Sequence, residues 1–407
     1  MVKVLRSIVV GPLARYVAEF AAELLGQGYT GCSAEQHGCF VAHLDRWLQV
    51  EGLELRDLSD STIARYLAQR RADGYRLYLS RRALHPLLDF LAPKGVLPTE
   101  LPAPLDPAEE LLGRYRDYLR TERGLNNGTV VGYVHLARLF LSTRSRGEAG
   151  LDLAGLSAAD VLEFVRGTCP GRARGSAKLI VTVTRSLLGW LHLTGVISEP
   201  LAAAVPSVAG WRLAGLPQAL TPAQLRALLA ACDRRTAAGR RDYAIVLLLA
   251  RLGLRAGEVA GLGLDDIDWH VGTLQVIGKG NRGESLPLPA DVGAAITAYL
   301  RRGRPASAQA RSVFLRVRAP HRALSTGGVG NIVTAAGERA GLGHVHAHQL
   351  RHTAATSMLR AGSGLAEVGQ VLRHRSSLST AIYAKVDRDA LAVLARPWPA
   401  QPSGGLS

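Results

Sequence analysis

Apolar residues recur at i, i+3 and i+4 spacing through most of the chain, a period that predicts amphipathic helices. HLDRW (43–47), DLSDSTIARYL (57–67) and LLDFLAPKGVL (87–97) carry this pattern. They resemble, in the same order, HLARL (135–139), GLSAADVLEFV (155–165) and LLGWLHLTGVI (187–197). The offset grows from 92 to 98 to 100 residues, as small insertions into a duplicated unit would produce. In LSDSTIARYL and LSAADVLEFV a Ser is placed to cap a helix start. The first two segments therefore read as one helical unit used twice.

The pattern then changes. LTPAQLRALLAAC (220–232) begins with Thr221 as N-cap and Pro222 at the first helical position. YAIVLLLARLGL (243–254) is apolar all round apart from Arg251, is too short to cross a bilayer, and predicts a buried helix. GTLQVIGKGNRGESLPLP (272–289) predicts a β-hairpin with Gly278, Gly280, Asn281 and Gly283 at its turn. From 326 to 394 the reading returns to helix. PTELPAPLDP (98–107) and EPLAAAVPSVAGWRLAGLPQ (199–218) read as connections. The expected organisation is a helical domain over 1–102, a second over 107–205, an α-rich domain with a small sheet over 208–395, and a disordered tail over 396–407.

Composition narrows the function classes. A chain of 407 residues with 47% apolar and 20% charged residues fits a soluble protein of two or three domains. No apolar run is long enough for a membrane span, and the N-terminus lacks a signal-peptide core, so a cytoplasmic protein with no membrane association is expected. Cys32, Cys39, Cys169 and Cys232 are scattered, without metal-ligand or disulfide spacing. The net charge of +16 points to a polyanion, most simply nucleic acid. It is unevenly placed: residues 1–105 carry +1, residues 106–206 carry +2, and residues 207–407 carry +13.

The candidate chemistry lies in that basic third segment. HVHAHQLRH (344–352) holds four of the chain's 12 histidines. His348 and His352 are four apart and would share a helix face, as zinc ligands do. However, no HExxH glutamate and no nearby Cys accompany them, and Arg351 beside a dication is unfavourable. Arg and His together suit an anionic oxygen better, because both donate charge-assisted hydrogen bonds to phosphate. Arg255 follows the buried helix in LGLRAGEVAGL, where it could clamp a phosphate or pair with Glu258. Lys279 sits in the hairpin turn of a chain with five Lys against 44 Arg, and Lys can donate a proton where Arg in practice cannot. VLRHRSSLSTAIYAKV (371–386) places His374 nine residues before Tyr383. Each residue alone has an ordinary structural reading: a salt bridge, a solvated turn, a half-buried tyrosine.

Together, the order Arg, Lys, His-x-x-Arg, His, Tyr resembles the tyrosine recombinase (phage integrase) family. LARLGLRAGEVAGLGLDDID (249–268) is similar to the family's first arginine motif, VIGKGNRGESLPL (276–288) to its β-hairpin, HQLRHTAAT (348–356) to its H-x-L-R-H-T box, and VLRHRSSLSTAIYAKV to its L-G-H…Y box. The resemblance is sharp over roughly 220–390, and residues 1–100 are additional to the family's minimal layout. One position departs: the family usually has Gly where this chain has Arg373.

The resemblance implies a mainly α fold with a small antiparallel sheet in a C-terminal catalytic domain, and helical N-terminal DNA-binding domains completing a C-shaped clamp around DNA. It implies catalytic roles for Arg255, Lys279, His348, Arg351, His374 and Tyr383, with no metal and no cofactor. Arg255, Arg351 and His374 would bind the scissile phosphate, Lys279 would protonate the leaving 5′ oxygen, His348 would handle the tyrosine proton, and Tyr383 would form a 3′-phosphotyrosyl bond. The implied partners are double-stranded DNA and a homotetramer, alone or with a second recombinase, with the helix DRDALAVLA (387–395) a candidate for docking onto a neighbouring protomer. The implied function is integration, excision or transposition of a DNA element. A relaxing topoisomerase and a catalytically weak DNA-binding accessory protein are the alternatives.

Overall fold

The structure, a computed structural model, describes residues 9–98, 106–145, 150–209, 219–278, 283–306 and 308–373, together with Thr380 and Tyr383. It divides into two compact units, one of residues 1–99 with 215–407, the other of residues 100–214. The expectations for Lys279, His374, the helix 387–395 and the tail 396–407 fall outside the described residues.

The second unit contains four α-helices among its described residues: Pro107–Thr121, Asn127–Ser142, Ala158–Thr168 and Arg174–Leu193. Their apolar stripes converge on Leu112, Tyr115, Leu119, Phe140, Leu187 and Trp190. The Tyr115 hydroxyl avoids an unpaired burial by donating to Ser186 Oγ at 2.9 Å. Leu201 and Val205 also pack into this core. The connection expected over 199–218 therefore starts later, because its first apolar residues are drawn into the helical core.

The first unit begins with a matching set of four helices, Val17–Gly26, Gly31–Val50, Asp60–Ala72 and Arg81–Leu91, around Phe20, Phe40, Leu44, Tyr66, Leu84 and Leu91. The proposed repeat falls on corresponding helices of the two sets. Ser59 and Ser157 both cap helices, accepting from Thr62 N–H and Asp160 N–H.

The rest of the first unit carries the basic segment. Its helices are labelled α1 (Pro222–Ala230), α2 (Ala237–Leu252), α3 (Ala256–Gly261), α4 (Ala290–Arg302), α5 (Thr326–Arg339), α6 (Ala347–Arg360) and α7 (Leu365–Val371). Thr221 caps α1 by accepting from Gln224 N–H, while the Gln224 side chain accepts from Thr221 N–H, and Pro222 occupies the first turn. The apolar run forms most of α2, which packs against α4, α5 and α6. Ile245, Leu248 and Leu249 on it are 0% exposed, and each such side chain contributes about 2 kcal/mol of burial free energy.

A three-stranded antiparallel sheet flanks this core in the order β1 (Ile267–Asp268), β2 (Thr273–Ile277), β3 (Gly283–Pro287). Gln275 pairs with Ser285 and Val276 with Glu284, so the expected hairpin is present; β1 adds a strand that the periodicity did not predict. Leu274 and Val276 face the core, in the alternation of a half-buried strand. The fold is mainly α with a small antiparallel sheet. Among the described residues, no helix is long and apolar enough to cross a membrane.

Candidate active site

The end of α2 sets up the site. Gly253 closes the helix at φ +58°, a left-handed conformation that Gly adopts without a Cβ penalty. A Cβ there would meet Leu372 Cδ2, the movable end of a side chain, so the positive φ is the stronger demand for Gly. The turn aims the Gly253 carbonyl at Arg351, whose Nη1 donates to it at 2.5 Å. It also delivers Arg255 to the N-cap of α3.

Arg255 is held from one side. The Glu258 carboxylate accepts from the Arg255 backbone N–H at 2.8 Å and from its Nη1 at 2.7 Å. Arg255 Nη2 also approaches the Arg373 carbonyl oxygen at 3.5 Å. The Arg255 side chain is 39% exposed whereas Glu258 is 4% exposed, so the guanidinium is anchored inside and presented outside. The expected pairing with Glu258 and the expected availability for phosphate therefore coexist.

Arg351 projects from α6 and is 2% exposed. Besides the Gly253 carbonyl, it donates through Nη2 to the Leu372 carbonyl. Burial and then the charges of Arg255 and Arg373 pull its pKa down to about 10, opposed by Glu258 and Tyr383. It remains a cation at neutral pH, with two arginines nearby, and an arriving anion would relieve that repulsion.

His348 lies one turn before Arg351. Burial, then Arg351 and Arg255, lower its pKa from the usual 6.5. Its ring meets His352 edge-on, with centroids 4.4 Å apart. His352 Nδ1 in turn lies 2.8 Å from the Tyr383 hydroxyl. Burial, His348 and Arg351 push His352 down to about 4, so both rings are neutral at pH 7. Tyr383 is 1% exposed and packs with Ala355, Val368 and Leu372. Burial raises its pKa, and the Arg351 charge only partly offsets this, so the phenol keeps its proton.

Four of the six expected residues, Arg255, His348, Arg351 and Tyr383, thus belong to one electrostatically coupled cluster. Lys279 and His374 lie outside the described residues. His352, outside the six expected residues, makes the hydrogen bond to the tyrosine hydroxyl, and its ring packs against that of His348. Both histidines share a face of α6 at i, i+4 spacing, but it is the second that reaches the Tyr383 side chain. That spacing was visible in the sequence as a possible metal pair. Among the described residues, no three His, Cys, Asp or Glu side chains gather as a metal-binding group. Chemically, the cluster offers cations for a phosphate, a neutral imidazole pair for a proton, and a phenol.

The signature of the phage integrase family matches residues 218–389. The chain is 42% identical over 399 residues to a putative integrase/recombinase, y4rA, of Sinorhizobium fredii, with 96% of each chain covered. In fold it is similar to XerH site-specific recombinase bound to a palindromic difH substrate in a post-cleavage complex, at 18% identity and TM-score 0.53, over 71% of this chain and 96% of that one. A lambda integrase tetramer bound to a Holliday junction aligns at 17% identity and TM-score 0.51, over 76% of this chain and 86% of that one. Taken with the arginines, histidines and tyrosine just described, these similarities place the chain in the phage integrase family of tyrosine-type site-specific recombinases.

Proposed function

We propose that this recombinase cuts and rejoins duplex DNA through a 3′-phosphotyrosyl intermediate, and that it integrates, excises or transposes a DNA element. The observation that carries the reading is the 2.8 Å contact between His352 Nδ1 and the Tyr383 hydroxyl, in a cluster with Arg255 and Arg351.

In this reading Arg255, Arg351 and His374 hold the non-bridging oxygens of the scissile phosphate and offset charge that builds in the transition state. As the Tyr383 oxygen bonds to phosphorus its hydroxyl becomes strongly acidic, and at that stage its proton passes to His352, with His348 behind it. The bond from phosphorus to the 5′ oxygen breaks, and Lys279 gives that oxygen its proton. The phosphodiester free energy stays in the phosphotyrosyl bond, so a second strand's 5′ hydroxyl can religate by the reverse path. Exchange between two duplexes needs four such sites, which motivates a tetramer on DNA. The lambda integrase tetramer on a Holliday junction is a precedent for that assembly within this fold.

The test uses nicked suicide duplexes drawn from the flanks of the protein's own gene, incubated in EDTA and resolved on a denaturing gel. The wild type should give a slow protein–DNA band. Tyr383→Phe should lose it while DNA affinity changes no more than about threefold, as expected when a nucleophile and not a binding group is removed. A band that survives Tyr383→Phe would overturn the assignment.

A further inference from the structure

Arg373 occupies a backbone conformation that disfavours it. Its φ is +56°, in the left-handed region where a side chain is strained and Gly is at ease. Such strain persists where surrounding contacts hold it, and these contacts are specific. The Arg373 side chain is 3% exposed. Its Nη2 donates to Glu258 Oε2 at 2.6 Å. Its Nε stands 3.6 Å from Glu284 Oε2 on β3, an ion-pair distance and not a hydrogen bond. Its Nη1 reaches the Val371 carbonyl at 3.3 Å.

Glu258 is thereby shared between two guanidiniums, Arg255 and Arg373. The electrostatic consequence is direct. Beside Arg255 alone, a buried carboxylate would cancel much of that cation's charge and repel an approaching phosphate. A second guanidinium on the same buried carboxylate restores a positive excess, because the other carboxylate near Arg373, Glu284, is 44% exposed and screened by solvent. The same side chain ties α3, β3 and the residues before His374 to one point.

We propose that Arg373 is a positioning residue for strand cleavage: it neutralises Glu258 and leaves the Arg255 guanidinium its charge and outward donors for the scissile phosphate. The inference rests on the phosphotyrosyl reading above.

The test measures adduct formation by the full-length protein on the nicked flanking duplexes, as a rate at saturating DNA and as the half-saturating DNA concentration. Arg373→Gly removes the guanidinium and relaxes the backbone. We expect the saturated rate to fall at least about tenfold, the effect of losing one charge-stabilising contact at a phosphate. Because binding is spread over many phosphate contacts, the half-saturating concentration should move by less than about threefold. Adding Glu258→Gln to Arg373→Gly removes the uncompensated carboxylate and should recover at least about threefold in rate, a rescue that a purely structural role does not predict.

A wild-type rate in Arg373→Gly, or a defect that Glu258→Gln does not relieve, overturns the inference. Should Arg373→Gly fail to fold, Arg373→Lys and Arg373→Met decide, since both keep the backbone demand and differ in charge. Lys retaining cleavage where Met loses it supports the proposal, and equal rates overturn it. A wild type that forms no Tyr383-dependent adduct on any of these duplexes overturns the phosphotyrosyl reading itself, and the inference with it.

Discussion

The Tyr383 phenol lies buried against a neutral imidazole, and this contact sets what single substitutions should do. His352→Ala should slow adduct formation about 100-fold, the scale of a lost proton acceptor, with DNA affinity nearly unchanged; a rate equal to wild type would leave the proton to another group. The same ring makes a stability prediction. Folding holds His352 neutral down to about pH 4, whereas the unfolded chain takes up a proton below the usual 6.5. Its contribution to stability is therefore complete above about pH 6.5 and is lost as the pH falls towards 4. Urea unfolding of the wild type and His352→Gln should give a stability difference that shifts in favour of the variant between about pH 7 and about pH 4.5. At this scale the sequence was informative about Arg255, His348, Arg351 and Tyr383, because motif spacing carries identity. The motifs pointed to His348 for the tyrosine proton and passed over His352, whose contact spans 31 residues and depends on how α6 is rotated. The sequence marked Arg373 as a departure from the family's usual Gly, but not its left-handed backbone or its pairing with Glu258, which depend on tertiary contacts.

Among the described elements, the turn between α2 and α3 is tightly constrained. Gly253→Ala introduces a Cβ at a positive φ and within 2.4 Å of Leu372 Cδ2. It should lower stability by about 1–3 kcal/mol, read from the denaturation midpoint. It should also slow cleavage, because the carbonyl that holds Arg351 moves with the turn. Unchanged cleavage would mean Arg351 is positioned independently of this carbonyl. Helix starts at Ser59, Ser157 and Thr221 were legible because capping is local chemistry of three or four residues. The β2–β3 hairpin was legible from its alternation and its glycine turn. β1 was not, since two residues carry no period and this strand exists only by pairing with β2.

Across the whole molecule, charge and organisation diverge. The excess of +13 in residues 207–407 predicts steeply salt-dependent DNA binding. Raising salt from about 50 to about 200 mM should cost about 1000-fold in affinity or more, if some six or more phosphates are contacted. A nearly flat salt response would contradict a phosphate-dominated interface. The near-neutral first segment has a helical core of its own. In the structure residues 1–99 group with 215–407, and Arg322 lies 3.6 Å from Asp89 while His321 N–H approaches the Gln27 carbonyl at 3.4 Å. Such long-range polar contacts leave no periodic trace along a chain, whereas each helical core does.

Every step of the proposed reaction depends on Tyr383 carrying the DNA. The most direct measurement is mass spectrometry of the protein–DNA adduct after nuclease and trypsin digestion. The expected result is a nucleotide remnant on Tyr383 within the peptide SSLSTAIYAK, residues 376–385. A remnant on any other residue, with Tyr383 unmodified, would contradict it.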